Sequence, residues 1–325
     1  MFPLISIIIP TYNRYDECIR AIESALCQDY KPINIIVVED GSASGIKEWI
    51  QGRLKSDARI PIKYFNNEKN LGLAATKNNG IKSADGDYVA ILDDDDEWKA
   101  NKLSVQMMSL KDFLVDNHDE LAIVTSAVEV RDEAGIIEYI TPCGNSGRLK
   151  DDIIANGIKT PSSTFLMPRK AVLEIGGYDE SLRSSTDHDM MMSLASQNFF
   201  GVAVHEALAI NYSRVGRNTN MTNTKQRLIS VDQFLKKWTP TIENWLGVKK
   251  AKSFCKIYFA KVGTILFINK LLSGNFFEAV YCIGRIFSRS GFGASIIKVV
   301  FFPTFKAVLK LFLPKPLIRK MKGLS

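Results

Sequence analysis

Tyr88-Val89-Ala90-Ile91-Leu92-Asp93-Asp94-Asp95-Asp96-Glu97-Trp98 is the stretch on which the fold turns. An apolar run this short, bounded by Gly86 and by acids, reads as a buried strand. Four adjacent carboxylates repel one another, and a cation offsets that repulsion. Hard divalent ions such as Mg²⁺ or Mn²⁺ take oxygen ligands and usually keep phosphate oxygens among them. An acid cluster at the carboxyl end of a buried strand is therefore a candidate site for a metal and a diphosphate. The plain alternative is a solvated acidic turn.

Outward from this stretch, the first half of the chain alternates strand and helix. Leu4–Ile9, Ile33–Val38, Ile62–Phe65 and residues 88–92 read as strands. Asp16–Gln28, Ile46–Leu54 and Leu73–Lys82 read as helices, the first with Ile19, Ile22, Ala25 and Leu26 on one face. Repeated β-α-β units with apolar strands imply a parallel sheet covered on both faces. Ligands in such sheets bind beyond the carboxyl ends of the strands. Pro10-Thr11-Tyr12-Asn13, Glu39-Asp40-Gly41-Ser42 and the acid cluster all follow strands, so they are expected to meet at one edge. Further β-like runs follow at Leu121–Val130, Ile136–Ile140, Thr164–Met167 and Val202–Ile210, with Asp132-Glu133-Ala134-Gly135 as a hairpin turn. From about residue 224 the pattern is mostly helical, with no repeats and no low-complexity segment.

Composition bounds the class. The 325 residues are 46% hydrophobic and 24% charged, which suits a globular protein of two domains or one large α/β domain with an extension. Five cysteines, at 18, 27, 143, 255 and 282, form no C-x-x-C pair, which fits a reducing compartment and gives no zinc signal. The apolar start, Met1 to Ile9, has no basic flank or small-x-small cleavage site and reads as a first strand, not a signal peptide. The net charge of +7 is unevenly placed: Lys249 to Ser325 holds 15 Lys and Arg against one acid, Glu278. That segment is also rich in Phe, Ile, Leu and Val, a pattern suited to an anionic membrane surface. Nucleic acid is not expected as its partner, because its lysines interleave with long apolar stretches and no nucleic-acid motif is present. Lys261 and Lys270 break one apolar stretch; Lys298, Pro303, Lys306 and Lys310 break the other. Helices lying on the surface are favoured over spanning ones, and a helical subdomain packed on the rest is the alternative.

Several of these pieces together resemble family 2 glycosyltransferases. The resemblance lies in Ile5-Ser6-Ile7-Ile8-Ile9-Pro10-Thr11-Tyr12-Asn13-Arg14 and in Val37-Val38-Glu39-Asp40-Gly41-Ser42, with Glu39 where Asp is usual. It continues in Asn70-Leu71-Gly72 with Ala75-Thr76-Lys77-Asn78, where Lys77 replaces Arg, and in Gly86 to Trp98 as the D-x-D strand. It ends in Gly176-Gly177-Tyr178-Asp179-Glu180-Ser181-Leu182 with Thr186-Asp187-His188-Asp189, where Thr186 replaces Glu. Five motifs in order are specific where any one is weak.

The resemblance implies an α/β fold of GT-A type: a Rossmann-like mixed sheet flanked by helices, with a C-terminal helical extension. It implies residues 1–115 as a nucleotide-sugar-binding half, 116–222 as an acceptor-binding half and 223–325 as the basic extension. It implies an inverting, metal-dependent transfer of one sugar from a nucleotide-diphospho-sugar, UDP-linked, to a glycan or lipid-linked acceptor. Pro10, Thr11, Tyr12 and Arg14 would line base and ribose, and Asp40 with Glu39 would accept hydrogen bonds from them. Lys77 would face the pyrophosphate or base. Asp93 and Asp94 would contact the donor, and Asp95 would bind Mn²⁺ or Mg²⁺, with Asp93 and Asp96 as alternatives. Asp187 would be the general base, with His188 and Asp189 beside it as alternatives. Asp187 at a helix start also suits simple charge stabilisation of the helix.

Other residues carry plainer expectations. His205 reads as a core histidine, Met190–Met192 as core or pocket lining, and Trp98 as packing under the acid loop. Tyr212-Ser213-Arg214-Val215 lacks the histidine of many relatives, leaving Arg214 and Arg217 as phosphate candidates. Gln233 with Lys237-Trp238 resembles but does not satisfy the motif of processive synthases, and no clear spanning helix is read, so single-sugar transfer is expected, by a cytoplasmic protein peripheral on the inner face of the cell membrane. A nucleotidyltransferase and a non-catalytic sugar-nucleotide or membrane-surface binder are the competing readings.

Overall fold

The computed structural model describes residues 2–56, 59–116, 122–132, 134–158, 161–212 and 223–312. The chain divides into two compact units, one of Met1–Ser181 with Thr186–Ser213 and one of Leu182–Ser185 with Arg214–Ser325.

The first unit opens with β1 (Ile5–Thr11), α1 (Tyr15–Leu26), β2 (Ile33–Glu39), α2 (Ile46–Ser56), β3 (Ile62–Asn66), α3 (Leu73–Lys82) and β4 (Tyr88–Ile91). β5 (Asp96–Trp98), α4 (Lys102–Asp116), β6 (Ala122–Arg131), β7 (Ile137–Thr141), β8 (Gly147–Arg148) and α5 (Leu149–Asn156) follow. A 3₁₀ turn (Ser162–Thr164) leads into β9 (Leu166–Pro168), α6 (Arg169–Glu174), α7 (Thr186–Ser196) and β10 (Phe200–Tyr212). The strands form one sheet in the order β3-β2-β1-β4-β9-β6-β10-β5, with β7 beside β6 and β8 beside β10.

Register explains the expected convergence. β1 pairs in parallel with β2 and β4, and β2 with β3. Every residue of β1 and β2 is buried, which is why they carry apolar runs in place of an alternating pattern. β9 runs antiparallel between β4 and β6, making the sheet mixed. The segment expected as one strand at Thr164–Met167 is thus split between the 3₁₀ turn and β9. Ile5, Ile7 and Ile9 pack with Ile22, Ile35, Val37, Leu103 and Leu208 in the main core. The hairpin of β6 and β7 is closed by Asp132, whose carboxylate accepts from the Ala134 and Ile136 amides.

The second unit is helical: α8 (Thr224–Leu246), α9 (Val248–Leu272), α10 (Phe276–Ser290) and α11 (Ala294–Phe312). Asn223 and Asn275 cap α8 and α10 by accepting from Gln226 and Glu278 amides. Ala260, Ile286, Ile296 and Val300 form its apolar centre. Among the described residues no helix is long and apolar enough to cross a membrane.

Candidate active site

Parallel pairing brings the ends of β1, β2 and β4 level. Thr11 lies opposite Glu39, Ile8 lies opposite Ile91, and the Asp40 amide donates to the Thr11 carbonyl at 2.8 Å. The acids after β4 make a tight turn in which the Asp96 amide donates to the Asp93 carbonyl at 3.0 Å. The turn sorts the four aspartates by burial. Asp93 and Asp95 keep 23% and 25% of their side chains exposed, whereas Asp94 and Asp96 are buried. Asp96 sits in β5 opposite Asn211 and accepts from the Ser163 hydroxyl at 2.6 Å.

Two basic side chains hold this cluster. Arg14 donates from one nitrogen, Nη1, to Asp94 Oδ1 and to Asp95 Oδ2, both at 2.7 Å. Burial opposes the guanidinium charge, but the two carboxylates outweigh it and raise the Arg14 pKa. Burial pushes Asp94 up to about 6, with Asp95 adding to the shift and Arg14 opposing it. Lys77, expected to face the pyrophosphate or base, is wholly buried. Its ammonium lies 2.9 Å from Asp93 Oδ1 and 3.4 Å from Asp187 Oδ1, donates to Ser162 Oγ at 2.7 Å, and sits over the Tyr178 ring. Burial works against that charge, yet Asp187 and Asp93 hold the lysine protonated.

Asp187 lies in the first turn of α7, where an acid also suits the helix dipole. Burial disfavours its ionised form; Lys77, His188 and the Ser162 amide overcome this and keep its carboxyl below the usual range. Asp93 moves the other way, raised by burial and by Asp187 and Asp95, against Lys77. His188 therefore acts on Asp187 through charge, and Asp189 is buried in α7.

The 3₁₀ turn Ser162–Thr164 ties these parts together, and sequence reasoning passed over it. Ser162 Oγ donates to Asp93 Oδ2 at 2.8 Å and its amide donates to Asp187 Oδ2 at 3.3 Å. Ser163 Oγ accepts from the Asp93 amide at 3.1 Å while donating to Asp96. The Ser163 carbonyl accepts from Trp98 Nε1, which confirms Trp98 under the acid turn. The Thr164 carbonyl accepts from Gln106, whose own carbonyl accepts from the buried Lys102. The signal available was Pro161-Ser162-Ser163-Thr164, a turn-forming cluster set directly before an apolar strand.

Glu39 and Asp40 are engaged by the protein itself. Glu39 accepts from Ser42 Oγ, the Ser44 amide and the Tyr64 hydroxyl. Burial would raise its pKa, and these donors lower it below the usual glutamate range. Asp40 accepts from Asn67 Nδ2 and from the Leu71 and Gly72 amides at 2.8, 2.8 and 2.9 Å. The two carboxylates thereby fix the loops at 41–44 and 70–72. Gly41, at φ 71°, is required between them because a Cβ there would overlap the Lys69 backbone. Pro10 and Thr11 are buried in β1, and Tyr12 is exposed beyond it. Asn78 joins the last two motifs: it donates to the Tyr178 carbonyl and to Glu180, and accepts from the Tyr178 amide.

Three side expectations resolve here. Met190–Met192 are core residues. His205 is exposed, not core, because β10 slips register between Val204 and Ala207. Arg214 and Arg217 lie outside the described residues.

The site suits a hard divalent cation held partly by substrate. Arg14 and Lys77 form ion pairs with Asp93, Asp94, Asp95 and Asp187, His188 adds charge beside Asp187, and Asp94 is raised chiefly by burial, with Asp95 adding to the shift. Among the described residues no group of three or more His, Cys, Asp or Glu is arranged to hold a metal alone. Mg²⁺ commonly takes one or two carboxylates together with phosphate oxygens, and the partly exposed Asp95 and Asp93 offer that donor set.

Comparison with known proteins identifies the family and the fold. Residues 6–171, just over half the chain, match the family described as Glycosyl transferase family 2. An uncharacterized glycosyltransferase of Rickettsia felis is 33% identical over 251 residues, 74% of this chain and 40% of that protein. The chain thus spans about two fifths of that relative's length. The colanic acid biosynthesis glycosyl transferase WcaA of Escherichia coli, a putative assignment, is 31% identical, covering 72% of this chain and 81% of WcaA. A GalNAc(5)-diNAcBac-PP-undecaprenol beta-1,3-glucosyltransferase of Campylobacter jejuni is 42% identical across 32% of this chain and 34% of its own. Among solved structures, S. aureus TarS 1-349 with UDP-GlcNAc superposes with a TM-score of 0.61 at 16% identity, covering 94% of this chain and 87% of that one. The Pyrobaculum calidifontis mannosyltransferase PcManGT with GDP-Man and Mn²⁺ gives 0.57 at 15% identity, covering 99% and 84%. The fold is GT-A like, and the chain belongs to glycosyl transferase family 2.

Proposed function

We propose that this chain transfers one sugar from a nucleotide-diphospho-sugar to a hydroxyl of a glycan or lipid-linked acceptor, with inversion at the anomeric carbon. The observation that carries the reading is the single network joining Asp93, Lys77, Ser162 and Asp187. It ties an acid of the diphosphate-and-metal turn to a carboxylate placed to take a proton. The acceptor oxygen forms the new bond to the anomeric carbon, and the bond to the donor phosphate oxygen breaks with its electron pair leaving on the nucleoside diphosphate. A hydroxyl is a poor nucleophile until a positioned base takes its proton.

Asp187 suits that role. It is ionised, its contacts to Lys77 and Ser162 are long at 3.4 and 3.3 Å, and 26% of its side chain is exposed. Lys77 and Ser162 hold it in place. Pro10, Thr11, Tyr12 and Arg14 would line the nucleotide, with Glu39 and Asp40 shaping the loops around it and Asp93 and Asp94 on the donor side. Asp95, with Asp93, would hold Mn²⁺ or Mg²⁺, which supplies positive charge to the departing diphosphate; Asp96 is the remaining candidate. The Mn²⁺ in the PcManGT structure and the UDP-GlcNAc in TarS support a metal and a UDP-linked donor. The undecaprenol-linked acceptor in the Campylobacter enzyme's name supports a lipid-linked one, met at an anionic membrane surface by the basic segment 249–325.

The test is donor hydrolysis and donor binding across a panel of nucleotide-sugars, with and without Mn²⁺ or Mg²⁺. The expected result is metal-dependent nucleoside diphosphate release from one donor. Asp187→Asn should lower turnover by about 10²- to 10⁴-fold while donor binding persists. Failure of every donor to bind folded protein with metal present would overturn the reading, and turnover unchanged in Asp187→Asn would remove the base.

A further inference from the structure

We propose that the outward faces of α10 and α11 insert their aromatic side chains into the interfacial layer of an anionic bilayer. Contact would then rest on apolar burial as well as on charge. This deepens the membrane part of the function proposed above and is independent of its catalytic part.

The argument begins with α10, which is apolar on two sides. Ala279, Cys282 and Ile286 are buried, with Ile286 in the apolar centre of the helical unit. Phe277, Val280, Tyr281 and Gly284 recur at i, i+3, i+4 and i+7, so they share the opposite face, and all four are exposed. Phe277 is 93% exposed. A helix bathed in water carries polar residues there. α11 repeats the pattern: Ile296 and Val300 face the centre, while Phe301 and Phe302 are 61% and 62% exposed. Phe292, between the two helices, is also exposed. Exposed apolar side chains gathered along helix faces in this way point to an interaction surface.

Charge selects the occupant. Glu278 is the only acid from Lys249 to Ser325, and it is already engaged by Lys270 at 2.7 Å and by Thr224. The segment's 15 basic residues thus far outnumber its one acid, even though Arg285 and Arg289 pair with Asp232 of α8. A second copy docking by the same face would bring two such segments together, at a cost in repulsion. Anionic headgroups reverse the sign of that interaction. Lys298 is exposed one helical turn from Phe301 and Phe302, where its stem can lie along the apolar layer with its ammonium among headgroups. Stacking on nucleic-acid bases fits less well, because aliphatic Val280 and Ile297 are exposed on the same helices as the aromatics. Among the described residues no helix is long and apolar enough to cross a bilayer, and the mode proposed is helices lying in the interface.

The experiment is vesicle co-sedimentation of the full 325-residue chain with phosphatidylcholine vesicles, with and without phosphatidylglycerol, at low salt and at roughly 0.5 M salt. The wild type should bind the anionic vesicles and keep a substantial bound fraction in high salt. The triple variant Phe277→Ser, Phe301→Ser, Phe302→Ser should lose about tenfold in partitioning. Its thermal melting should be unchanged, because all three side chains are exposed. A Phe277→Trp variant should show added fluorescence quenching by brominated lipid. Binding that high salt abolishes and the triple variant retains would overturn insertion while leaving charge-driven membrane contact intact. No vesicle binding at all would overturn both. Loss of self-association, or of oligonucleotide binding, in the triple variant without loss of vesicle binding would reassign the face. None of these outcomes touches donor hydrolysis, which tests the catalytic reading separately.

Discussion

Lys77 is a charged side chain that makes all its contacts away from solvent. It is wholly buried between Asp93 and Asp187, and its removal leaves two carboxylates confronting each other at the 3₁₀ turn. Breaking a buried ion pair by deleting one partner costs about 3–5 kcal/mol, so Lys77→Met should lower the denaturant midpoint strongly as well as abolish turnover. A variant with wild-type stability would mean that the lysine is not the tether described. Glu39 makes a complementary prediction that depends on pH. Burial would raise its pKa, but Tyr64, Ser42 and Ser44 pull it below the usual range. The folded state therefore binds this proton less tightly than the unfolded chain. The stabilisation is complete above the ordinary glutamate range and is lost as pH falls through the folded value. Glu39→Gln should cost about 2 kcal/mol near neutral pH, and the gap to wild type should narrow as pH falls below the ordinary glutamate range in paired urea titrations. A gap that is constant over that fall in pH would assign the loss to shape alone.

Helix α3 and the 3₁₀ turn differ in how plainly the sequence announces them. Leu73–Lys82 is a helix with the bounds that its residues suggest, and the strands before it end where turn residues and acids begin. Apolar runs, glycines and acids are local signals, so the parallel half of the sheet and the edge where its loops meet could be read directly. The turn Ser162–Thr164 has neither a period of two nor one of 3.6, and its importance lies in partners 69 residues back and 25 residues on. Three hydroxyl residues announce a loop; nothing in them announces Asp93 and Asp187. Lys77 was legible as a basic residue of the site, but not its direction, because burial is a property of what packs around it. The seating of α3 is itself testable. A Cβ at Gly80 would overlap Ile8 Cγ2 in β1, where the side chain has no room to retreat. Gly80→Ala should cost about 1–3 kcal/mol despite alanine's better helix propensity, and should impair turnover by shifting Lys77 and Asn78. A stabilised variant, judged by thermal melting, would show that α3 sits further from β1.

The donor site proposed here would, as a whole, be completed by its ligands. Arg14 and Lys77 form ion pairs with Asp93, Asp94, Asp95 and Asp187, and Asp94 is pushed up to about 6 chiefly by burial, with Asp95 adding to the shift against Arg14. A metal alone would find partly exposed Asp95 and Asp93 but must do without phosphate oxygens. A nucleoside diphosphate alone would bring more negative charge to an already acidic edge. Each should therefore bind weakly by itself and strengthen the other, and linkage requires that strengthening to be reciprocal. Ligands that bind only the folded state raise the melting temperature in proportion to their occupancy. Mn²⁺ and UDP added together should thus raise the melting temperature by more than the sum of their separate shifts. EDTA should return the protein to the value seen with UDP alone. Asp95→Ala should abolish the excess while leaving the melting temperature without ligand near that of the wild type, since its side chain is partly exposed. Strictly additive shifts in the wild type would mean that metal and diphosphate occupy independent places, and the acid turn would then have to be read as structural.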